Sequence, residues 1–240
     1  MFNIPEHYKT DVKLALKDFI PKDLKPEDKK RIKEAVKEVR LMYQIVGEEI
    51  PSVIDNEYRC QAIQIYDIEL HSIKDAAYLA SMYQSLIKPF CVIRMHDSQD
   101  ELYSFAVKRL SQTDETQIVI ERSLLTERYP VGLPDDNRNH LLKYLDWMQI
   151  KNKTNKVNLY KEWYYKAYML LNEKAYAGTE IILEGNSWYD SNRMERLYVY
   201  YKRLVDTRGS LKKAVSNIER VKLNKEIRET IQMLEIEKML

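Results

Sequence analysis

Apolar side chains return every three or four residues between Pro26 and Val46, at Ile32, Ala35, Val36, Val39, Met42, Tyr43 and Val46. That rhythm predicts one amphipathic helix over 26–46 with a single buried stripe. Pro26 fits its first turn, Glu27 and Asp28 suit its N-terminal dipole, and Gly47 suits its end. Ahead of it, Pro5 and Pro21 bracket a short amphipathic run. Residues 60–70 switch to period two with β-branched side chains, which predicts a strand. Helical spacing returns over 75–86, at Ala76, Leu79, Ala80, Tyr83 and Leu86. Three strand-like runs follow, 90–95, 101–110 and 117–121. Polar turns at 97–100 and 111–115 separate them, so they predict an antiparallel meander.

The pattern changes after Pro134. Asp135 and Asp136 cap a helix running to Trp147, and 151–156 is a polar loop. A tyrosine-rich helix covers 159–177, ending near Gly178, and 179–183 reads as a short strand or extended link. Residues 192–205 form a helix broken near Gly209, and 211–240 a long terminal helix. Its stripe at Leu211, Val215, Ile218, Val221, Ile227, Ile231 and Leu234 is no strict heptad, so it reads as a packing helix rather than a coiled coil. The fold class is α+β. An N-terminal sheet with a three-strand meander and packing helices occupies 1–133, and a helical region occupies 134–240.

Composition narrows the classes. Five glycines and seven prolines among 240 residues disfavour a turn-rich all-β fold. A net charge of +2 gives no global attraction to nucleic acid, so such binding needs a local patch. Cys60 and Cys91 lie in apolar runs without a CxxC spacing and read as buried thiols of a reducing compartment. The start Met1-Phe2-Asn3-Ile4-Pro5 has neither the basic nor the apolar region of a signal peptide. No run approaches the roughly 18 apolar residues that span a bilayer. The expected location is the cytoplasm, with no membrane partner.

Candidate chemistry is sparse. Asp67 and Glu69 share one strand face and could hold a divalent metal. With Lys108 they suggest a nuclease of the restriction-endonuclease kind. That chemistry needs an acid and, on the adjoining strand, an acid-x-Lys triplet; Ala106 stands where the second acid is wanted, so a solvent-facing role is preferred. His7, His71, His96 and His140 form no paired motif, and no phosphate-cradling glycine loop or nucleophile elbow occurs. No metal and no cofactor is expected. Lys108 and Arg109 point to opposite faces; the covered one needs a partner, for which an ion pair with Glu69 or Glu121 is the expectation.

The most unusual stretch interleaves rings and cations. Tyr160, Lys161, Trp163, Tyr164, Tyr165, Lys166 and Tyr168 are followed by Trp188, Arg193, Arg196, Tyr200, Lys202 and Arg203. Aromatic faces stack on bases while cations track phosphates, so a nucleic-acid surface is one reading. Helix packing combined with a partner interface is the preferred one, since tyrosines serve both. Either reading expects Lys161, Trp163, Tyr164, Lys166, Trp188, Arg193, Arg196, Tyr200, Lys202 and Arg203 to project as a docking face.

The order of several short motifs is recognisable. Phe2-Asn3-Ile4-Pro5, the strand from Ile63 to Leu70, Pro89 with Ile93, Ala106-Val107-Lys108-Arg109-Leu110 and Leu223-Asn224-Lys225-Glu226-Ile227-Arg228 resemble a bacterial family known only as domain of unknown function four-three-nine-one. The likeness covers about the first 130 residues and about the last 30, with 135–205 longer than the family leads one to expect. It implies an accessory subunit of a restriction-like or anti-phage assembly. The implied partners are a helicase or a DNA methyltransferase, with DNA contact as a further option. It brings no catalytic residues.

Overall fold

The computed structural model describes residues 1–22, 24–114 and 117–239. Glu115, ending the expected 111–115 turn, and Leu240, ending the expected terminal helix, lie outside the described residues. The architecture is α+β, a mostly antiparallel N-terminal sheet followed by a helical C-terminal half. Strands give way to helices near residue 133, while the compact units divide later, into residues 1–164 and 165–240.

In the first unit, strands β1 (Lys9–Leu14), β2 (Val36–Ile45), β5 (Ile63–Leu70), β6 (Phe90–His96), β7 (Asp100–Leu110) and β8 (Ile118–Leu125) lie in the order β1-β2-β5-β6-β7-β8. Strand β9 (Tyr129–Pro130) pairs with β7, and β3 (Val53–Ile54) with β4 (Arg59–Cys60) makes a separate ladder. The expected meander is β6-β7-β8, antiparallel throughout. Asp97 shapes its first turn, accepting the amides of Gln99 at 2.8 Å and Asp100 at 2.9 Å. β5 and β6 are parallel, joined by helix α2 (Ala76–Leu86).

The expected helix over 26–46 is corrected. Helix α1 covers only Pro26–Ala35; Val36 then turns extended and begins β2. Val36, Val39, Met42 and Tyr43 fit helical spacing, yet they lie on a strand whose buried residues are Val36, Val39, Leu41 and Ile45. Pairing with β1 on one side and β5 on the other satisfies the backbone of 36–45, and its β-branched residues favour the pleat.

The sheet has two unlike faces. One carries Val39, Leu41, Tyr66, Ile68, Cys91, Ile93, Met95 and Leu102, buried with Ile32 and Ala35 of α1 and Leu79, Ala80 and Tyr83 of α2. Lys108 is on this side and is 2% exposed. Its Nζ donates to the carbonyl of Pro89 at 2.9 Å and to that of Ile87, with the Cys91 thiol 3.5 Å away. The expected ion pair with Glu69 or Glu121 is therefore corrected: backbone carbonyls satisfy the ammonium. Burial holds its pKa below the usual lysine value. Both cysteines are buried and free, and burial pushes the Cys60 thiol up to about 12.

On the opposite face lie α3 (Asp136–Leu145) and the start of α4 (Lys156–Leu171). Phe2 contacts Tyr103 and Trp163, each at 5.8 Å between ring centroids, and Phe90 contacts Tyr160 at 4.9 Å. The Tyr160 hydroxyl donates to the Cys91 carbonyl at 2.6 Å and accepts from the Ala106 amide at 2.9 Å, so it sits between β6 and β7 where their ladder ends. Buried Glu162 accepts the amide of Asn152 at 2.7 Å and of Lys151 at 3.0 Å, which orders the polar 151–156 loop.

In the second unit, 179–183 is not extended. It lies in helix α5 (Thr179–Glu184), with the Gly185 amide closing its last turn on Ile182. Helix α6 (Ser191–Lys213) passes through Gly209 without a break, because an interior glycine costs only about 1 kcal/mol. The break comes at 214–216, and helix α7 (Asn217–Met239) follows. Four α7 side chains at helical spacing, Ile227, Thr230, Leu234 and Glu237, are buried. Arg203 reaches Glu226 at 2.8 Å and Arg196 reaches Glu237 at 2.6 Å, tying α6 to α7.

Tyr160→Phe deletes one hydroxyl from a buried site and strands the Ala106 amide, while the Cys91 carbonyl keeps the Gln84 side-chain amide at 3.3 Å. The expected loss is about 1–3 kcal/mol in urea unfolding. An unchanged unfolding midpoint would mean that β6 and β7 close directly onto each other.

Candidate functional site

Charged side chains sit on the second sheet face, where strand alternation places Asp67, Glu69, Arg94, Glu101 and Tyr103 together. Register puts Asp67 opposite Arg94, and Arg94 opposite Tyr103. Arg94 bridges two acids, with Nη1 3.0 Å from Asp67 and Nε 2.8 Å from Glu101. Glu101 is fully buried and also accepts from Arg138 of α3 and from the Tyr103 hydroxyl at 2.8 Å. His96 Nε2 lies 3.3 Å from the second Asp67 oxygen. A buried carboxylate without these partners would take up a proton.

Electrostatics follow the geometry. Burial raises the pKa of Glu101, but hydrogen bonds from Arg138 and Arg94 outweigh it and hold the carboxyl below its usual value. Burial likewise raises Asp67, and His96 and Arg94 overturn that too. The Asp67 hydrogen bond lifts His96 above the ordinary histidine value.

The array continues toward the sheet edge. Glu38 of β2 faces Glu69 of β5 across the ladder. Glu69 pairs with Lys37 at 3.0 Å, and Glu38 with Lys13 at 2.6 Å and with Arg40. Arg40 also reaches Asp11 at 2.7 Å. Each of these acids thus has a cation beside it. Among the described residues no group of three His, Cys, Asp or Glu side chains is arranged to hold a metal ion.

The nuclease set from the sequence is not assembled. Asp67 and Glu69 do share a face. Lys108 lies on the other face, five residues along β7 from Tyr103, or roughly 16 Å at the usual strand rise. Arg94, Glu101, Arg138 and Glu38 were missed as site residues. For Arg94 and Glu101 the signal is a charge in or beside an apolar strand run, which demands a partner; Arg138, in the polar first turn of α3, and Glu38, in a mixed stretch, carry no such signal.

The aromatic-basic docking face is corrected in large part. Trp163, Tyr164, Lys166 and Trp188 are buried. In the first unit, Trp163 Nε1 donates to the Leu145 carbonyl at 2.9 Å and the Tyr164 hydroxyl to that of Ser123 at 3.2 Å; Lys161 lies over the Tyr58 ring. In the second, Trp188 Nε1 donates to the Ile182 carbonyl at 2.7 Å and Lys166 sits over the Trp188 ring. Tyr165 stacks on Tyr198 with centroids 4.1 Å apart. These rings are core: Trp163, Tyr164, Tyr165 and Trp188 are buried, and each directs its polar atom to an internal acceptor. Arg196, Lys202 and Arg203 are exposed, while Arg193 and Tyr200 are half-buried. Arg193 donates to the Glu237 carbonyl and Lys202 pairs with Asp206. Arg196 and Tyr200 line an open depression of about 390 Å³ on α6, with Asn192, Glu195 and Val199.

Exposed apolar and basic residues instead gather at the α6–α7 turn. Val215 is 91% exposed, Ile218 86% and Val221 70%. Around them, Lys212, Lys213, Lys222 and Arg228 are exposed. Residues 208–228 hold seven Lys or Arg against two Glu, a net +5 in a chain whose total is +2.

The pair His96–Asp67 gives a pH signature. His96, raised in the fold, contributes its stability fully below about pH 6.5 and loses it as pH climbs through its folded value. Asp67, lowered in the fold, contributes above about pH 4 and loses it as pH falls. His96→Gln should lower the thermal midpoint clearly near pH 5.5 and much less near about pH 8.5. Equal losses at both pH values would contradict the pairing.

Among the described residues, no helix is long and apolar enough to cross a membrane. No curated protein and no solved structure matches the chain. One family model does, over residues 2–234, so the match includes the 135–205 stretch that the short motifs left out. The chain belongs to the family described as Domain of unknown function (DUF4391).

Proposed function

We propose that the protein is an accessory subunit without chemistry of its own, which docks on a helicase or DNA methyltransferase in a DNA-modification or anti-phage assembly. The observation that carries this reading is the α6–α7 turn, where three apolar side chains stand in water inside a basic rim. Exposed apolar groups gathered inside a polar rim mark a protein-interaction site. The partner class comes from the family resemblance. The protein, co-expressed with a helicase or DNA methyltransferase subunit of such an assembly, should elute with it as one stable complex. Separate elution at the monomer volume, with both partners present, counts decisively against the reading.

A second reading, a metal-dependent nuclease, is favoured by one observation. Glu38 faces Glu69 on the adjoining strand, with Asp67 two residues away on the same face and Lys37 bonded to Glu69. This offers an acid beside an acid-x-acid step, with a lysine at hand. A metal would have to displace the cations now paired with these carboxylates. This reading expects Mg²⁺- or Mn²⁺-dependent cleavage of plasmid DNA that Asp67→Asn abolishes. An inert wild-type protein, alone and with its partner, removes it.

A further inference from the structure

We infer that the α6–α7 turn takes an acidic amphipathic segment of a partner protein, apolar along one side and edged with carboxylates. This deepens the accessory-subunit reading and rests on it. Val215, Ile218 and Val221 form the apolar centre at a spacing of three residues, which places Ile218 and Val221 on one side of the first turns of α7. The opposite side of α7 is committed further along, where Ile227, Thr230 and Leu234 are buried. Up to Arg220 every α7 residue is exposed, so the tip projects from the packing that holds the rest of the helix.

The charges choose the occupant. Lys212, Lys213, Lys222 and Arg228 have no carboxylate within ion-pair distance among the described residues, whereas Lys202, Arg203 and Lys225 on the same two helices do. An apolar centre inside a charged rim is the anatomy of a protein interface, and a basic rim selects an acidic counterpart. Duplex DNA would engage the cations and leave Val215, Ile218 and Val221 in water, gaining nothing from the centre. An anionic membrane is entered through Trp, Phe or Leu anchors, and this tip presents two valines and an isoleucine.

The test uses the 240-residue protein and three probes: a fluorescent helical peptide with a leucine stripe flanked by glutamates, a short duplex DNA, and phosphatidylglycerol vesicles. The acidic peptide should bind. Ile218→Asp, and separately Lys212→Glu with Lys213→Glu, should each weaken it by at least about tenfold, as expected for central and rim contacts. Because these side chains are exposed, circular dichroism and thermal midpoints should stay unchanged. Tighter binding of DNA or of vesicles overturns the inference. So does peptide binding that the substitutions leave intact. The same variants then go into the co-elution experiment. If the complex forms equally well with Ile218→Asp and the Lys212→Glu, Lys213→Glu variant, this surface is wrong and the accessory reading stands. If the peptide binds as described but no helicase or methyltransferase subunit co-elutes, the surface stands and the partner class falls.

Discussion

The Tyr160 hydroxyl, held between the Cys91 carbonyl and the Ala106 amide, fixes α4 against the centre of the sheet where β6 and β7 part. The rest of the first unit is organised from that helix. Lys156, one turn earlier and fully buried, donates to the Gly47 carbonyl at 2.8 Å and also reaches Ile50 and Ser52. Glu162 gathers the amides of Lys151 and Asn152. Trp163 ties to Leu145, and Tyr164 caps Ser123 on the outermost strand. Each contact leaves one helix in a different direction and satisfies a group that burial would otherwise penalise. A shift of α4 would open several of these at once, so its position is tightly specified.

The sheet faces differ for the same physical reason. Where α1 and α2 cover it, the strands present aliphatic side chains and one lysine held by carbonyls. On the other face, a charged row of Asp67, Glu69, Arg94 and Glu101 adjoins buried Ile65, Val92 and Phe105, and alternating signs keep each of these acids paired. Such pairing satisfies charges that burial would otherwise penalise, and it holds the Asp67 and Glu101 carboxyls below their usual pKa. The α6–α7 turn is the reverse case. There, Lys212, Lys213 and Lys222 have no counter-charge among the described residues, and Val215, Ile218 and Val221 lack cover. The near-neutral total of the chain hides this local excess.

Much of the fold was legible in the sequence. Period two identified β5 and the meander, helical spacing identified α2 and α3, and Asp135 caps α3 as expected by accepting from the Arg138 amide at 2.7 Å. The errors share a cause. Val36 to Ile45 fits both periodicities, and only the presence of strands on either side decides between them. Glycine at position 209 reads as a breaker, yet its cost is small against the packing of α6 on α7. The site was less legible. Asp67 and Glu69 share a face in the sequence pattern, but Arg94 and Glu38 face them from other strands and Arg138 reaches Glu101 from a helix, at separations that local patterning does not record.

The sequence by itself determined the class of the fold, the meander, the free thiols and the family, because these follow from local periodicity, cysteine spacing and motif order. Tertiary structure decided which rings and charges meet water. Trp163, Tyr164 and Trp188 look like a recognition surface when written in a row, and they are core. Val215, Ile218 and Val221 look like a packing stripe, and they stand exposed. Helical spacing says that residues share a side, but whether that side is covered depends on which neighbour arrives, and the neighbour is set by contacts distant in sequence.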